Sequence, residues 1–168
     1  VTTAVSNDDN KELAMAINVS IELSRELKID GSYDEVFDLL EDVPRSVSHF
    51  PKVHKLTDLG DNSYLWEMEK IGVDKYSIQT AYACHYVSDR DAGTIRWESV
   101  AGQGNGVVSG SWVITAKGDT MSTLKFKTNA ALTLPLPSLL KLAISPVIKH
   151  EFNSLVDQYM RNLKKVFA

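Results

Sequence analysis

Apolar and polar side chains alternate from Ile17 onward, and the rhythm returns six more times before residue 135. In the first block Val19, Ile21, Leu23, Leu27 and Ile29 are interleaved with Asn18, Ser20, Glu22, Ser24, Glu26 and Lys28. A period of two gives a strand one dry face and one wet face. Asp30-Gly31 closes this block, and Ser32 with Glu35 three residues on makes a capping box. The box opens a short helix carrying Val36, Phe37, Leu39 and Leu40, and Pro44 suits the first turn of a second short helix. Strand-like blocks then follow at 53–59, 64–71, 75–88, 94–101, 107–116 and 121–134, separated by turn residues such as Gly60-Asp61-Asn62 and Lys117-Gly118-Asp119. Connections this short make successive strands antiparallel. The segment 102–106, rich in glycine, reads as a wide hairpin turn. It joins two strands rather than opening a helix, so it is not a phosphate loop.

After residue 135 the period changes. Ile148, Phe152, Leu155, Val156, Tyr159, Leu163 and Val166 fall three or four apart, on one helical face. Ser145-Pro146 either caps this helix or kinks a longer one. A helix over 146–166 extends ~30 Å, enough to cross a sheet. Seven twisted antiparallel strands curl, and a long amphipathic helix laid in the concave face covers both apolar surfaces. Where helix and sheet do not meet, a ligand cavity is expected.

The chain has 168 residues, 43% of them hydrophobic and 24% charged, which suits one globular domain with a core of its own. Residues 1–16 read as a flexible polar tail and 17–168 as the single domain. A net charge of -4 argues against nucleic-acid binding. The lone Cys84 excludes an internal disulfide. Residues 132–148 form the most apolar run, but three prolines break it and it is shorter than the ~20 residues of a spanning helix. The expectation is a soluble protein, cytoplasmic, or periplasmic if the N-terminus was processed.

Three stretches carry a family resemblance. Residues 29–43 (IDGSYDEVFDLLEDV) resemble the strand-to-helix entry of the SRPBCC superfamily, also called START-like or helix-grip. Residues 49–53 (HFPKV) resemble the turn into its second strand. The segment 102–140, with Gly106, Gly110 and the run LPLP, is similar to relatives of the G-type subunit of carbon monoxide dehydrogenase. The coenzyme-Q-binding, polyketide-cyclase-like branch is a second relative. The resemblance implies an α+β helix-grip fold: a curved seven-stranded antiparallel sheet around a long C-terminal helix, with two short helices between strands 1 and 2. It also implies an apolar ligand in a cavity.

Arg25 interrupts the dry face of the first strand between Leu23 and Leu27. A buried guanidinium needs a carboxylate, water or a ligand, so Arg25 anchors a ligand head group, pairs with an acid, or reaches solvent at a bulge or a mouth position. Tyr64, Trp66, Tyr76, Tyr82, Trp97, Trp112, Phe126, Phe152 and Tyr159 face inward in the predicted registers. Rings with polar tips suit a pocket that orients an apolar ligand, although each also suits ordinary core packing. His49, His54, His85 and His150 have no ligand spacing for a metal, and no cofactor is expected. Cys84 and His85, adjacent on a strand, point to opposite faces and form no nucleophile-base pair.

Three functions compete. The first is binding or transport of a hydrophobic small molecule, of lipid, quinone or sterol type. The second is a cyclase or dehydratase acting on a polyketide-like substrate, which needs an inward acid or base. No inward His-carboxylate pair is visible, which weighs against an enzyme. The third is a partner-binding maturation module with a vestigial cavity. Residues 132–148 are the expected site of any transient membrane contact.

Overall fold

The computed structural model describes residues 16–73 and 75–168. Apart from Ala16, the expected tail lies outside the described residues. Strand β1 (Ile17–Ile29) leads to helices α1 (Tyr33–Glu41) and α2 (Val43–Val47). Strands β2 (Val53–Gly60), β3 (Ser63–Met68), β4 (Ile71–Val73), β5 (Tyr76–Ile78), β6 (Ala81–Asp89), β7 (Thr94–Gly104), β8 (Gly106–Ala116) and β9 (Ser122–Leu134) follow. A 3-10 turn (Ser138–Leu140) runs into the C-terminal helix α3 (Lys141–Val166). Seven strands form one antiparallel sheet in the order β1-β9-β8-β7-β6-β3-β2, while β4 and β5 pair separately. This is the α+β helix-grip architecture.

The alternation predicted for β1 is realised along its length, with Val19, Ile21, Leu23, Leu27 and Ile29 buried. It pairs with β9 over all thirteen residues, Ile17 opposite Leu134 and Ile29 opposite Ser122. The Ser32 capping box forms as read. It leaves Val36, Phe37, Leu39 and Leu40 buried on one face of α1. Asp42 caps α2, with Pro44 in its first turn.

Two local expectations change. The blocks 64–71 and 75–88 are not two long strands. The chain leaves the sheet after Met68, forms the β4–β5 hairpin and re-enters at Ala81. The detour is sewn in at its base: Met68 N–H donates to Thr80 O (2.9 Å) and Glu69 N–H to Lys52 O (2.8 Å). The segment 102–106 is not a free turn either: β7 runs to Gly104 and β8 starts at Gly106, and although their mutual pairing ends at Trp97 opposite Gly110, Gly104 pairs with Tyr82 of β6 and Gly106 with Leu132 of β9. Asn105, between these two glycines, accepts from Ala81 N–H at its side-chain oxygen and donates from Nδ2 to Gln79 O, both at 2.9 Å. Gly104 next to it has φ +74°, and a Cβ there would stand 2.2 Å from Ala81 O, so this turn needs glycine. Of the two readings of Ser145-Pro146 the second holds: α3 begins at Lys141, so Pro146 lies inside a longer helix and Ser145 is not its cap.

Candidate functional site

The concave face of the sheet meets α2 and α3 around two small voids. The inner chamber, about 60 Å³, lies among β3, β6, β7, β8, β9, α2 and α3. The outer chamber, about 40 Å³, lies toward β4 and the first half of α3, and its lining runs out to the charged Lys52, Glu69 and Glu151. Tyr82, Val108 and Phe152 border both. The two chambers thus adjoin, with Tyr82 and Val108 from the sheet and Phe152 from the helix between them.

Seven rings close a girdle around the inner chamber. Trp66 meets Phe50 edge-on (5.4 Å between centroids), Phe50 meets Tyr159 (5.1 Å), and Tyr159 meets Trp112 (6.1 Å). Trp112 meets Phe126 (4.9 Å), Phe126 meets Trp97 (5.8 Å), and Trp97 meets Tyr86 (6.1 Å). Trp66 Nε1–H then donates to Tyr86 Oη at 3.0 Å, completing the circle. Strand periodicity explains the arrangement: Trp66 on β3, Tyr82 and Tyr86 on β6, Trp97 on β7, Trp112 on β8 and Phe126 on β9 all point to the concave face. Edge and tilted contacts at these separations are the ones favoured by ring quadrupoles.

The polar groups in this wall are hydroxyls and a thiol. Ser46 from α2 hydrogen-bonds Tyr159 from α3 across the chamber mouth. Thr128 Oγ1 donates to Ser109 O (3.1 Å) and Cys84 Sγ to Val108 O (3.4 Å). Burial pushes the Cys84 thiol and the Tyr159 phenol up to about 12, the latter despite its Ser46 hydrogen bond. Burial also raises Tyr82 and Tyr86 well above the ordinary tyrosine value. Among the described residues the inner lining has no Asp, Glu, Lys, Arg or His. The chamber is thus apolar, aromatic and uncharged, able to hold a neutral molecule and to donate hydrogen bonds, with no group suited to exchange a proton near neutral pH.

Of the residues singled out in the sequence, Trp66, Tyr82, Trp97, Trp112, Phe126, Phe152 and Tyr159 line this chamber. Tyr64 lies outside it, in a surface depression with Pro44, Val47 and Phe50, its ring edge-on to Tyr86. Tyr76 is on the β5 hairpin, half-buried, with Lys75 Nζ 5.5 Å from its ring centroid. Arg25 lines neither chamber. Its Nε donates to Asp157 (2.7 Å), its Nη2 to Asn153 (2.8 Å) and its Nη1 to Ser24 O (2.9 Å), so it ties β1 to α3. Among the lining residues not singled out are Tyr86, Phe50 and Ser46. Tyr86 shares the parity of Tyr82 and Cys84 on β6 and was readable. Phe50 and Ser46 come from the α2 region, where no periodicity announces an inward face.

The apolar run at 132–148 divides. Leu134 and Leu136 are buried, whereas Leu139 and Leu142 are 93% and 90% exposed. No helix among the described residues is long and apolar enough to cross a membrane.

Comparison with known proteins supports the architecture. No family model matches the chain, and no curated protein does. Solved structures do. A START superfamily protein from Mycobacterium smegmatis matches with a TM-score of 0.62 and 12% identity, over 87% of this chain and 96% of that one. The Zhui aromatase/cyclase from Streptomyces sp. R1128 gives 0.57 and 12%, over 88% and 92%. A norcoclaurine synthase from Thalictrum flavum, a point mutant in complex with a transition-state analogue, gives 0.58 and 13%, over 90% and 96%. At these identities the likeness establishes the START-like fold.

Proposed function

We propose that this START-like chain binds a neutral, flat, largely apolar small molecule, of lipid, quinone or sterol type, inside the aromatic girdle. The observation that carries the reading is the closed ring of seven aromatic side chains around a chamber whose described lining has no charge. Affinity would come from apolar area removed from water, at ~25 cal/mol per Å². The voids are small. An apolar cavity of about 150 Å³ takes up benzene, so a ligand must spread α3 from the sheet as it enters. The solved neighbours include proteins named as cyclases, but acid-base catalysis needs a group that titrates near working pH. The phenols and thiol of this chamber are held neutral by burial, which favours binding over catalysis.

The experiment uses the chain's own reporters. Its three tryptophans, Trp66, Trp97 and Trp112, all line the inner chamber. Titration with a panel of lipids, quinones and sterols should shift their emission, and native mass spectrometry of protein from its own source should show a co-purifying small molecule. Unmoved emission across the panel, with an empty protein, would remove the binding reading and leave a partner-binding module with a vestigial cavity.

A second observation favours loading at a membrane. Leu139 and Leu142 stand almost fully exposed one helical turn apart. Lys141, Lys149 and His150 accompany them, and 132–150 holds no Asp or Glu in a chain of net charge -4. Two apolar side chains beside lysines suit an anionic lipid surface. The double variant Leu139→Asp, Leu142→Asp should lose co-sedimentation with phosphatidylserine vesicles while keeping its thermal stability. Equal sedimentation of variant and parent would eliminate membrane contact at this place.

A further inference from the structure

Three tyrosine hydroxyls reach the inner chamber, and they are not equivalent. Tyr159 is hydrogen-bonded to Ser46, and Tyr86 accepts from Trp66. Tyr82 has no hydrogen-bond partner for its hydroxyl among the described residues, although the residue is only 6% exposed. The hydroxyl is not sealed in protein. Among the described residues the buried side-chain oxygens with no partner are Thr123 Oγ1 and Ser145 Oγ, and Tyr82 Oη is not one of them, so it borders open volume. The ring is fixed from one side by Trp66, stacked at 5.5 Å and 23°. From the sheet it meets Gly106, whose missing Cβ would come within 3.2 Å of Tyr82 Cβ. It borders both chambers, opposite Phe152.

The Tyr82 hydroxyl borders open volume and has no protein partner among the described residues, so of the three it is the phenol left free to donate to whatever occupies the cleft. Burial keeps this phenol protonated, so it offers a proton rather than an anion. We infer that Tyr82 is the donor that orients the bound molecule, and that the ligand carries an acceptor oxygen of carbonyl type placed at the divide between the two chambers. The flat apolar part of the ligand then lies in the girdle. Any extension passes Phe152 toward the outer chamber, whose rim alone carries charge. The assignment rests on the cleft being a binding site, and it narrows the ligand class from apolar molecules in general to neutral molecules with an acceptor about midway along the cleft.

Two isosteric probes test it. Acetophenone and α-methylstyrene have the same outline, with a carbonyl oxygen in the first replaced by a methylene in the second. Dissociation constants for both are measured by ligand-observed NMR against the parent chain and Tyr82→Phe, which keeps the ring and loses only the hydroxyl. Thermal melts confirm that the variant is folded. The parent should hold acetophenone more tightly than Tyr82→Phe does by about fivefold, as one neutral hydrogen bond gives. Affinity for α-methylstyrene should be unchanged or slightly improved in the variant. If Tyr82→Phe weakens both probes equally, or neither, the donor role is wrong while the binding site stands. If the parent binds neither probe, the binding reading fails and the donor role with it.

Discussion

Raising the pH from about 8 to about 10.5 should destabilise this protein far more than its surface charge alone would. In the unfolded chain Cys84 titrates near 9 and tyrosine near 10, whereas in the folded protein Cys84 and Tyr159 rise to about 12 and Tyr82 and Tyr86 lie well above their ordinary value. Above pH ~9 the unfolded state therefore binds fewer protons than the native state, and unfolding free energy falls as pH rises. Below the unfolded values both states are protonated and these groups contribute no slope. Integrated to about pH 10.5, the displaced Cys84 thiol costs about 2 kcal/mol and the Tyr159 phenol a little under 1 kcal/mol, about 3 kcal/mol together, and Tyr82 and Tyr86 add to this in the same direction. That is a large share of the ~5–15 kcal/mol that a domain of this kind possesses. Urea denaturation at pH intervals across this range measures it directly. The variant Cys84→Ala should lose a large share of the pH slope, whatever it does to stability at pH ~8 by leaving a hole. Stability that is flat to pH ~10.5, or a slope unaltered by Cys84→Ala, would show that these groups reach water and that the chamber is not the dry enclosure described.

Other outcomes follow from single contacts. Gly110→Ala should destabilise the fold by about 2–3 kcal/mol, because a Cβ there would lie 2.3 Å from Lys127 O and 2.4 Å from the Trp97 indole; a melting temperature equal to the parent's would refute that packing. Arg25→Ala should cost at most ~1 kcal/mol, since the pair with Asp157 is 28% and 45% exposed and screened. It should leave ligand uptake intact, and a stable variant that no longer binds would return Arg25 to the head-group role. Phe152→Ala removes the helix's part of the divide between the chambers. It should lower stability by about 2 kcal/mol, less than for a fully buried phenylalanine, and admit longer apolar ligands than the parent does; an unchanged length preference would show that Phe152 does not keep the two voids apart.

Much of the sheet was legible because side-chain parity is a local property. β1 and β9 announce their buried faces residue by residue, and the same parity brought five of the singled-out aromatics into one chamber, with Phe152 and Tyr159 added by the spacing of the helix. The failures are where the chain departs from a simple ladder. Nothing in GVDKYS at 72–77 distinguishes a separate hairpin from a strand bulge, since a three-residue strand is too short to show a period. The glycines of 102–106 signal unusual backbone angles truthfully, but not that Asn105 spends its side chain stitching the bend to β6. Tyr64 has the same parity as Trp66 yet lies two residues along the same strand, toward the turn that joins β2 and β3, a position that parity does not encode. Arg25 required knowledge of which helical residues face it, and Asp157 and Asn153 are more than 125 positions away. The partner of a charge is a tertiary fact, whereas the need for a partner is readable in the strand.

The anchoring of α3 is lopsided, and that has a mechanical consequence. Among the described residues, the side-chain hydrogen bonds that join the helix to the rest of the fold run from Glu151 to Asn162: Lys52 to Glu151, Arg25 to Asn153 and Asp157, Ser46 to Tyr159, and Asn162 to His49 O. Beyond them Phe167 lies over Gly31, where a Cβ would meet its ring at 2.6 Å. The leading ten residues are held by the burial of Ile144 and Ile148 alone, and Pro146 removes one backbone donor within them. The helix is a lever with its fulcrum near Asp157. A tilt of ~10° about that point carries residue 146 through roughly 3 Å, about the thickness of an aromatic ring. The arm that swings is the one bearing Leu139 and Leu142 at its tip and Ile148 on its inner side, so one small rotation would widen the outer chamber at the same end of the molecule that presents its bare leucines.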